Sequence, residues 1–241
     1  MPEKIYTIPV NDAFDSGAEC PICFMYRELQ KYAVEFIMDT AYMEDDIRME
    51  TDEKGFCEKH LSMMAAEKNR LGLALILKTH LDRQKKECLK VAAKPIKASS
   101  LFKKESSALS AWAKNANERC YICDRIGGLY PLYLDSVLYL YKKEADFRKK
   151  YAECKGFCQK HFGELIEKGQ DTLPQKELEE FTGLTVKLYT DNLQRLSDDL
   201  DWFCDKFDYR YHDAPWKNSK DAIERGMVKT NGILPPEPKK P

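Results

Sequence analysis

The sequence predicts an all-α protein in which one helical module occurs twice, followed by a long C-terminal helix and an extended tail. Three observations lead there. Apolar residues recur at helical spacing through most of the chain. Few segments alternate as a half-buried strand would. A block of motifs near the N-terminus returns an offset of 100 residues later.

The repeat is specific. Cys20-Pro21-Ile22-Cys23 returns as Cys120-Tyr121-Ile122-Cys123, and Glu44, Asp46 and Arg48 return as Glu144, Asp146 and Arg148. After one inserted residue, Lys54-Gly55-Phe56-Cys57-Glu58-Lys59-His60 returns as Lys155-Gly156-Phe157-Cys158-Gln159-Lys160-His161. Order, spacing and length together point to duplication. The predicted organisation is a first repeat over 1–94, a linker over 95–107, a second repeat over 108–214 and an extended tail over 215–241.

Residues 22–43 contain no Gly or Pro, and Leu29, Tyr32, Ala33, Phe36 and Ile37 form one stripe. The matching stretch of the second copy carries Leu134, Leu138 and Tyr141 on one face, but Gly127, Gly128 and Pro131 predict a kink or a late start. Each Lys-Gly-Phe turn should lead into a short helix beginning near Cys57 or Cys158. A further helix is predicted over 72–93, apolar all round at first and charged from Asp82 onward. The linker holds Pro95 with serines and lysines, and a helix near 108–116 opens the second copy. The long helix runs over about 175–207, with Leu184, Leu188, Leu196, Leu200, Phe203 and Phe207 along one side. Prolines after Pro215 and at 235, 236 and 238 predict an extended arm.

Six of the nine cysteines and two of the four histidines fall in the repeated motifs. A Cys-x-x-Cys pair places two thiolates on one tight turn, and Cys-x-x-His on a helix points both side chains to one side. Together they supply three sulfurs and one nitrogen, the donor set of a tetrahedral zinc site. Cys20, Cys23, Cys57 and His60 are the predicted ligands of the first copy. Cys120, Cys123, Cys158 and His161 are those of the second. The two zinc ions have iron–sulfur clusters as their alternative, because soft thiolates suit both. Buried core cysteines, or a dithiol redox pair, are the plainer readings of the same residues. Phe24 and Asp124 follow the pairs, so the c-type haem signature is absent.

Cys154, four residues before Cys158, is a spare ligand or a loop cysteine. Cys88, Cys204 and His80 read as incidental or structural, and His212 as packed among aromatics. The acidic run Asp198, Asp199, Asp201 and Asp205 and the lysines Lys85, Lys86, Lys90, Lys94, Lys97, Lys103 and Lys104 read as solvated faces. No dinucleotide-binding, P-loop or nucleophile-elbow motif occurs. A net charge of −1 gives generic nucleic acid no reason to bind. The most apolar stretch, 71–77, is far shorter than the ~20 residues of a spanning helix. With no signal peptide visible, a cytoplasmic location with reduced thiols is expected.

The paired Cys-Pro-x-Cys and Gly-Phe-Cys-x-x-His motifs resemble those of an uncharacterised family of small proteins from anaerobic Firmicutes. The resemblance extends to Leu71-Gly72-Leu73-Ala74-Leu75, to Asp201-Trp202-Phe203, to Lys206-Phe207-Asp208-Tyr209-Arg210-Tyr211 and to Trp216-Lys217-Asn218-Ser219-Lys220-Asp221-Ala222. It supports the ligands and an anaerobic bacterial setting, and it implies no activity. Three functional classes follow. A closed four-ligand site is usually structural, which favours a binding or adaptor protein whose partner is a protein or small molecule. An electron-transfer protein would hold clusters. A metalloenzyme would open one site by exchanging His60, His161 or Cys154, and no general base is identifiable for it.

Overall fold

The computed structural model describes residues 4–96, 106–115 and 118–232. Among these are eleven α-helices, two short 3-10 turns and no strand. The helices are α1 (Lys4–Asp15), α2 (Pro21–Asp39), α3 (Asp45–Lys54), α4 (Glu58–Ala66), α5 (Arg70–Ala92), α6 (Ala108–Asn115), α7 (Tyr121–Lys143), α8 (Ala145–Glu153), α9 (Gln159–Thr172), α10 (Gln175–Asp205) and α11 (Ala222–Asn231). The repeated motifs fall on matching elements. Cys-x-x-Cys opens α2 and α7, and Cys-x-x-His opens α4 and α9. Most of the predicted linker, with Lys97, Lys103 and Lys104, and the proline-rich end lie outside the described residues.

The chain divides into two compact units, residues 1–28 with 130–241, and residues 29–129. The boundaries fall inside α2 and α7. In the first unit, α1 contributes Val10, Ala13 and Phe14, α7 contributes Val137, Leu138 and Tyr141, and α8 contributes Phe147 and Tyr151. Phe157 and Leu165 come from the α9 region, Phe181 and Leu188 from α10, and Val228 from α11. Tyr151 is the hub. Its ring lies 5.1 Å from Tyr141, 5.3 Å from Phe157 and 5.5 Å from Phe181. Its hydroxyl is satisfied by Thr185 Oγ1 at 2.8 Å, so the buried oxygen keeps a partner. Offset and edge-on aromatic pairs of this kind contribute about 0.5–1.5 kcal/mol each beyond their burial.

The second unit buries Leu29, Ala33, Val34 and Ile37 of α2, Met64 of α4, Leu73 and Ile76 of α5, and Ile122 and Ile126 of α7. Asn69 caps α5 by accepting the Gly72 amide at 2.8 Å. The same side chain donates to Met38 O at 2.7 Å and so ties α5 to the end of α2.

Several expectations change. Helix α7 does not start late, and runs as one helix from Tyr121 through Gly127, Gly128 and Pro131. Buried Ile126 on one side and Leu134, Val137 and Leu138 on the other hold it where local propensity would not. The start of α5 is not buried all round. Leu73 and Ile76 are buried, while Leu71 is 67% exposed. Helix α1 forms despite Pro9 and was not expected. Most of the described part of the predicted extended tail is instead the helix α11, which buries Ala222, Val228 and Lys229. Asp199 is not simply solvated, because Arg225 of α11 reaches it at 2.8 Å.

Candidate metal centres

Each ligand sits at a helix N-terminus. Pro21 is the first residue of α2, where its missing N–H removes no helical hydrogen bond. Cys20 therefore stands at the cap position, and the Cys23 amide points at Cys20 Sγ at 3.5 Å. Cys120 and Cys123 repeat this at the start of α7, again at 3.5 Å. Cys57 and Cys158 cap α4 and α9 with extended backbones, ψ 162° and 164°. The histidine three residues on then faces the same side as the cysteine. Two helix dipoles thus point their positive ends at each group of sulfurs, which favours thiolate over thiol.

The turns before Cys57 and Cys158 depend on glycine. Gly55 has φ +62° and Gly156 φ +73°, backbone that side-chain-bearing residues rarely adopt. A Cβ at Gly156 would also stand 2.8 Å from the backbone oxygen of Leu188.

All eight predicted ligands come together, in two groups of four. Cys20, Cys23, Cys158 and His161 form one, and Cys57, His60, Cys120 and Cys123 form the other. The partners differ from the expected ones: each Cys-x-x-Cys pair meets the Cys-x-x-His of the other copy. The division into units explains why: α2 carries the chain out of the unit holding Cys20 and Cys23 before Cys57 is reached, and α7 carries it out of the unit holding Cys120 and Cys123 before Cys158 is reached.

The distances test whether a metal fits. Bonds of about 2.3 Å to sulfur and 2.0–2.1 Å to nitrogen at tetrahedral angles give edges of about 3.8 Å between sulfurs and about 3.6 Å between sulfur and nitrogen. In the first cluster Cys23 and Cys158 sulfurs are 3.6 Å apart. His161 Nδ1 lies 3.4, 3.2 and 3.2 Å from the sulfurs of Cys20, Cys23 and Cys158. In the second, Cys57 and Cys123 sulfurs are 3.8 Å apart. His60 Nδ1 lies 3.3, 3.3 and 3.4 Å from those of Cys57, Cys120 and Cys123. The sulfur edges match one tetrahedral ion, and the nitrogen edges are a few tenths of an ångström shorter. The thiols also show the strain of three sulfurs sharing one place. Cys158 is driven strongly toward thiolate by hydrogen bonds from Cys20 and Cys23, and Cys23 is driven strongly the other way by the same contacts. At His161 burial favours the neutral ring, but the Cys158 and Cys20 sulfurs outweigh it and lift its pKa to about 9. At Cys57 burial favours the thiol, yet the His60 amide and the Cys120 and Cys123 thiols lower the pKa. A divalent cation would resolve this competition by taking all three thiolates at once.

The second layer differs between the clusters. His161 Nε2 lies 4.0 Å from Glu164, whose carboxylate accepts the Tyr130 hydroxyl. A carboxylate behind a ligating imidazole orients the ring and raises its basicity. Behind His60 the neighbour is Gln30, 3.2 Å from Nε2, which also accepts Lys59 Nζ at 3.0 Å. The first cluster is further closed by α11. Gly232 caps that helix in the left-handed conformation, and a Cβ on it would lie 3.2 Å from Cys23 Sγ. One turn earlier Lys229, 2% exposed, donates to the carbonyls of both Glu19 and Lys155. Those carbonyls lie in the two segments leading to Cys20 and to Gly156, so one ammonium braces both. Sequence reasoning missed Lys229, because it lay in the predicted tail and nothing local marks it.

The remaining candidates stay outside the clusters. Cys154 ends α8, and burial pushes its thiol up to about 11. Cys88 is half-buried and Cys204 exposed. His80 bonds Asp52 O at 2.8 Å and Gln84 at 3.0 Å. His212 is exposed beside Asp213 rather than packed among aromatics.

The fold and its clusters define a helical protein with two Cys3His centres, each able to hold a metal ion. The chain belongs to the family of unknown function DUF6062, whose family model matches residues 1–237. No curated protein and no solved structure matches it. No helix of the described residues is long and apolar enough to cross a membrane.

Proposed function

We propose that each cluster holds one zinc ion as a structural site, and that the protein is an adaptor whose helices are tied by these ions. The observation carrying this reading is the grouping itself, four donor atoms within 4.8 Å of one another at both places. In a cluster of two or four irons the terminal ligands attach to different metal atoms and stand further apart than ligands sharing one ion, so the short edges favour a single ion. Four protein ligands leave no open position, which favours a structural over a catalytic role. The reducing cytoplasm suits six thiolates.

The adaptor surface is the aromatic C-terminal end of α10 and the turn after it. Phe207 is 75% and Tyr209 87% exposed. They stand on a rigid base, in which Lys206 Nζ donates to the carbonyls of Tyr211, His212 and Ala214 at 2.6–2.7 Å. Trp202 Nε1 donates to Pro215 O, and Lys217 Nζ lies 3.7 Å above the Trp202 ring. Exposed aromatics held rigid are the side chains that most often anchor a partner.

The test is anaerobic purification followed by metal analysis and absorption spectroscopy. A colourless protein with two zinc ions per chain is expected. A brown protein with stoichiometric iron overturns the zinc reading and makes electron transfer the function.

A further inference from the structure

The two clusters share a ligand set but not an environment. Cys20, Cys23, Cys158 and His161 are all buried, with the end of α11 against their sulfurs. In the other cluster Cys120 and His60 are buried, but Cys57 is half-buried and Cys123 is exposed. These two less buried cysteines are the pair whose sulfurs lie 3.8 Å apart, from segments 66 residues distant in sequence. Three thiolates on a divalent ion leave a net charge of −1 on the site. The sulfurs therefore keep nucleophilic character, which only the accessible ones can express toward a dissolved electrophile.

We propose that the Cys57–Cys123 pair is an oxidisable site: hydrogen peroxide joins the two sulfurs in a disulfide and frees the metal of that cluster, while the buried cluster keeps its own. This rests on the zinc reading above. The Cys123 thiolate attacks one peroxide oxygen and the O–O bond breaks, leaving a sulfenic acid and hydroxide. The Cys57 thiolate then attacks the sulfenic sulfur, forming the S–S bond and expelling the second hydroxide. Two electrons pass from sulfur to peroxide, and two solvent protons convert the hydroxides to water. The sulfurs must close to about 2.05 Å from their present separation. Cys120 and His60 alone then remain as ligands, and two ligands do not retain the ion. The buried quartet has a similar sulfur separation, 3.6 Å between Cys23 and Cys158, so accessibility and not spacing separates the two.

The experiment uses a C88S/C204S chain, which removes two thiols that belong to neither cluster, alongside the unsubstituted chain. Zinc content is measured first. Peroxide is then added, zinc release is followed with a chromogenic chelator, and disulfides are mapped by mass spectrometry of non-reduced peptides. The expected result is two zinc ions at the start, loss of one, a Cys57–Cys123 cross-link, and recovery of the ion after reduction with added zinc. A chain that takes up no zinc overturns both this proposal and the zinc reading. Two ions at the start with release of neither, release of both together, or a cross-link between Cys23 and Cys158 overturns the oxidation proposal alone. Should the double variant not fold, the unsubstituted chain distinguishes the same outcomes, since the mapped cross-link identifies the cysteines that reacted.

Discussion

Cys23 and Cys158, 135 residues apart in sequence, hold their sulfurs 3.6 Å from each other, and they belong to different copies of the repeat. Because partners are exchanged between copies, double substitutions should sort by cluster. C23S/C158S removes two ligands of one centre and should leave one zinc ion per chain. C23S/C57S removes one ligand from each centre, although both residues lie in one copy, and should weaken both. Cys88→Ser, outside either group, should change neither. Metal analysis after gel filtration reads this directly, and one retained ion in C23S/C57S with none in C23S/C158S would falsify the exchange.

The two turn glycines should differ in tolerance. Alanine at either position meets strained backbone, a cost of order 1–3 kcal/mol. At Gly55 the new Cβ meets the His80 ring at 2.8 Å, a side chain that can shift. At Gly156 it meets the backbone of Leu188 at the same distance, inside α10. Overpacking against backbone adds about 1–3 kcal/mol, so Gly156→Ala should be the more destabilising of the two. Denaturant unfolding of the zinc-loaded variants decides it, and equal midpoints would count against the argument.

Tyr151 tests the aromatic core of the first unit. Tyr151→Phe loses the hydroxyl contact to Thr185 but keeps the ring, and Thr185 still donates to Phe181 O at 2.7 Å. A loss of about 1 kcal/mol is expected. Tyr151→Ala removes a fully buried ring and should cost about 3–5 kcal/mol. Chemical denaturation followed by near-ultraviolet circular dichroism would report both, and comparable losses for the two variants would be evidence against the hub.

Lys229→Met keeps the length of the side chain but withdraws its ammonium from the Glu19 and Lys155 carbonyls. Each buried acceptor left without a donor costs about 1–3 kcal/mol. The loosened segments carry Cys20 and Cys158, so a strong chelator should strip zinc faster from that centre than in the parent chain. Unchanged chelation kinetics would show that Lys229 does not brace the ligands.

Duplex DNA of arbitrary sequence should not bind at physiological salt. Affinity for phosphate grows with the number of uncompensated cations, and here the net charge is −1. Along α5, Arg83 is paired to Glu87 at 2.9 Å and Lys78 to Asp82 at 3.1 Å. A salt-sensitive mobility shift at micromolar protein would contradict this.

The sequence by itself determined the helical class and the identity of all eight clustered residues, because both rest on short-range rules. Helical spacing marks the buried face of α2 through Leu29, Ala33 and Ile37, although Tyr32 and Phe36 of the same predicted stripe are exposed. The turn chemistry of Gly55 and Gly156 and the three-residue step from cysteine to histidine decide which side chains point together. Tertiary structure alone decided which quartet each ligand joined. That choice follows the two compact units, because α2 and α7 each carry the chain from one unit into the other before the Cys-x-x-His motif is reached, and no local pattern encodes that crossing. It also decided that α7 persists through Pro131, since burial of Ile126, Leu134 and Leu138 overrides weak local propensity there. Helix α11 differs, because Ala222, Glu224, Arg225, Met227 and Lys229 are strong helix formers and made it legible locally. The difference between a closed centre under Gly232 and Lys229 and an open one at Cys123 was decided by tertiary structure too. The ligands are repeated in the sequence, but α11 belongs to the unit that holds the Cys20, Cys23, Cys158 and His161 centre, where Gly232 lies against Cys23.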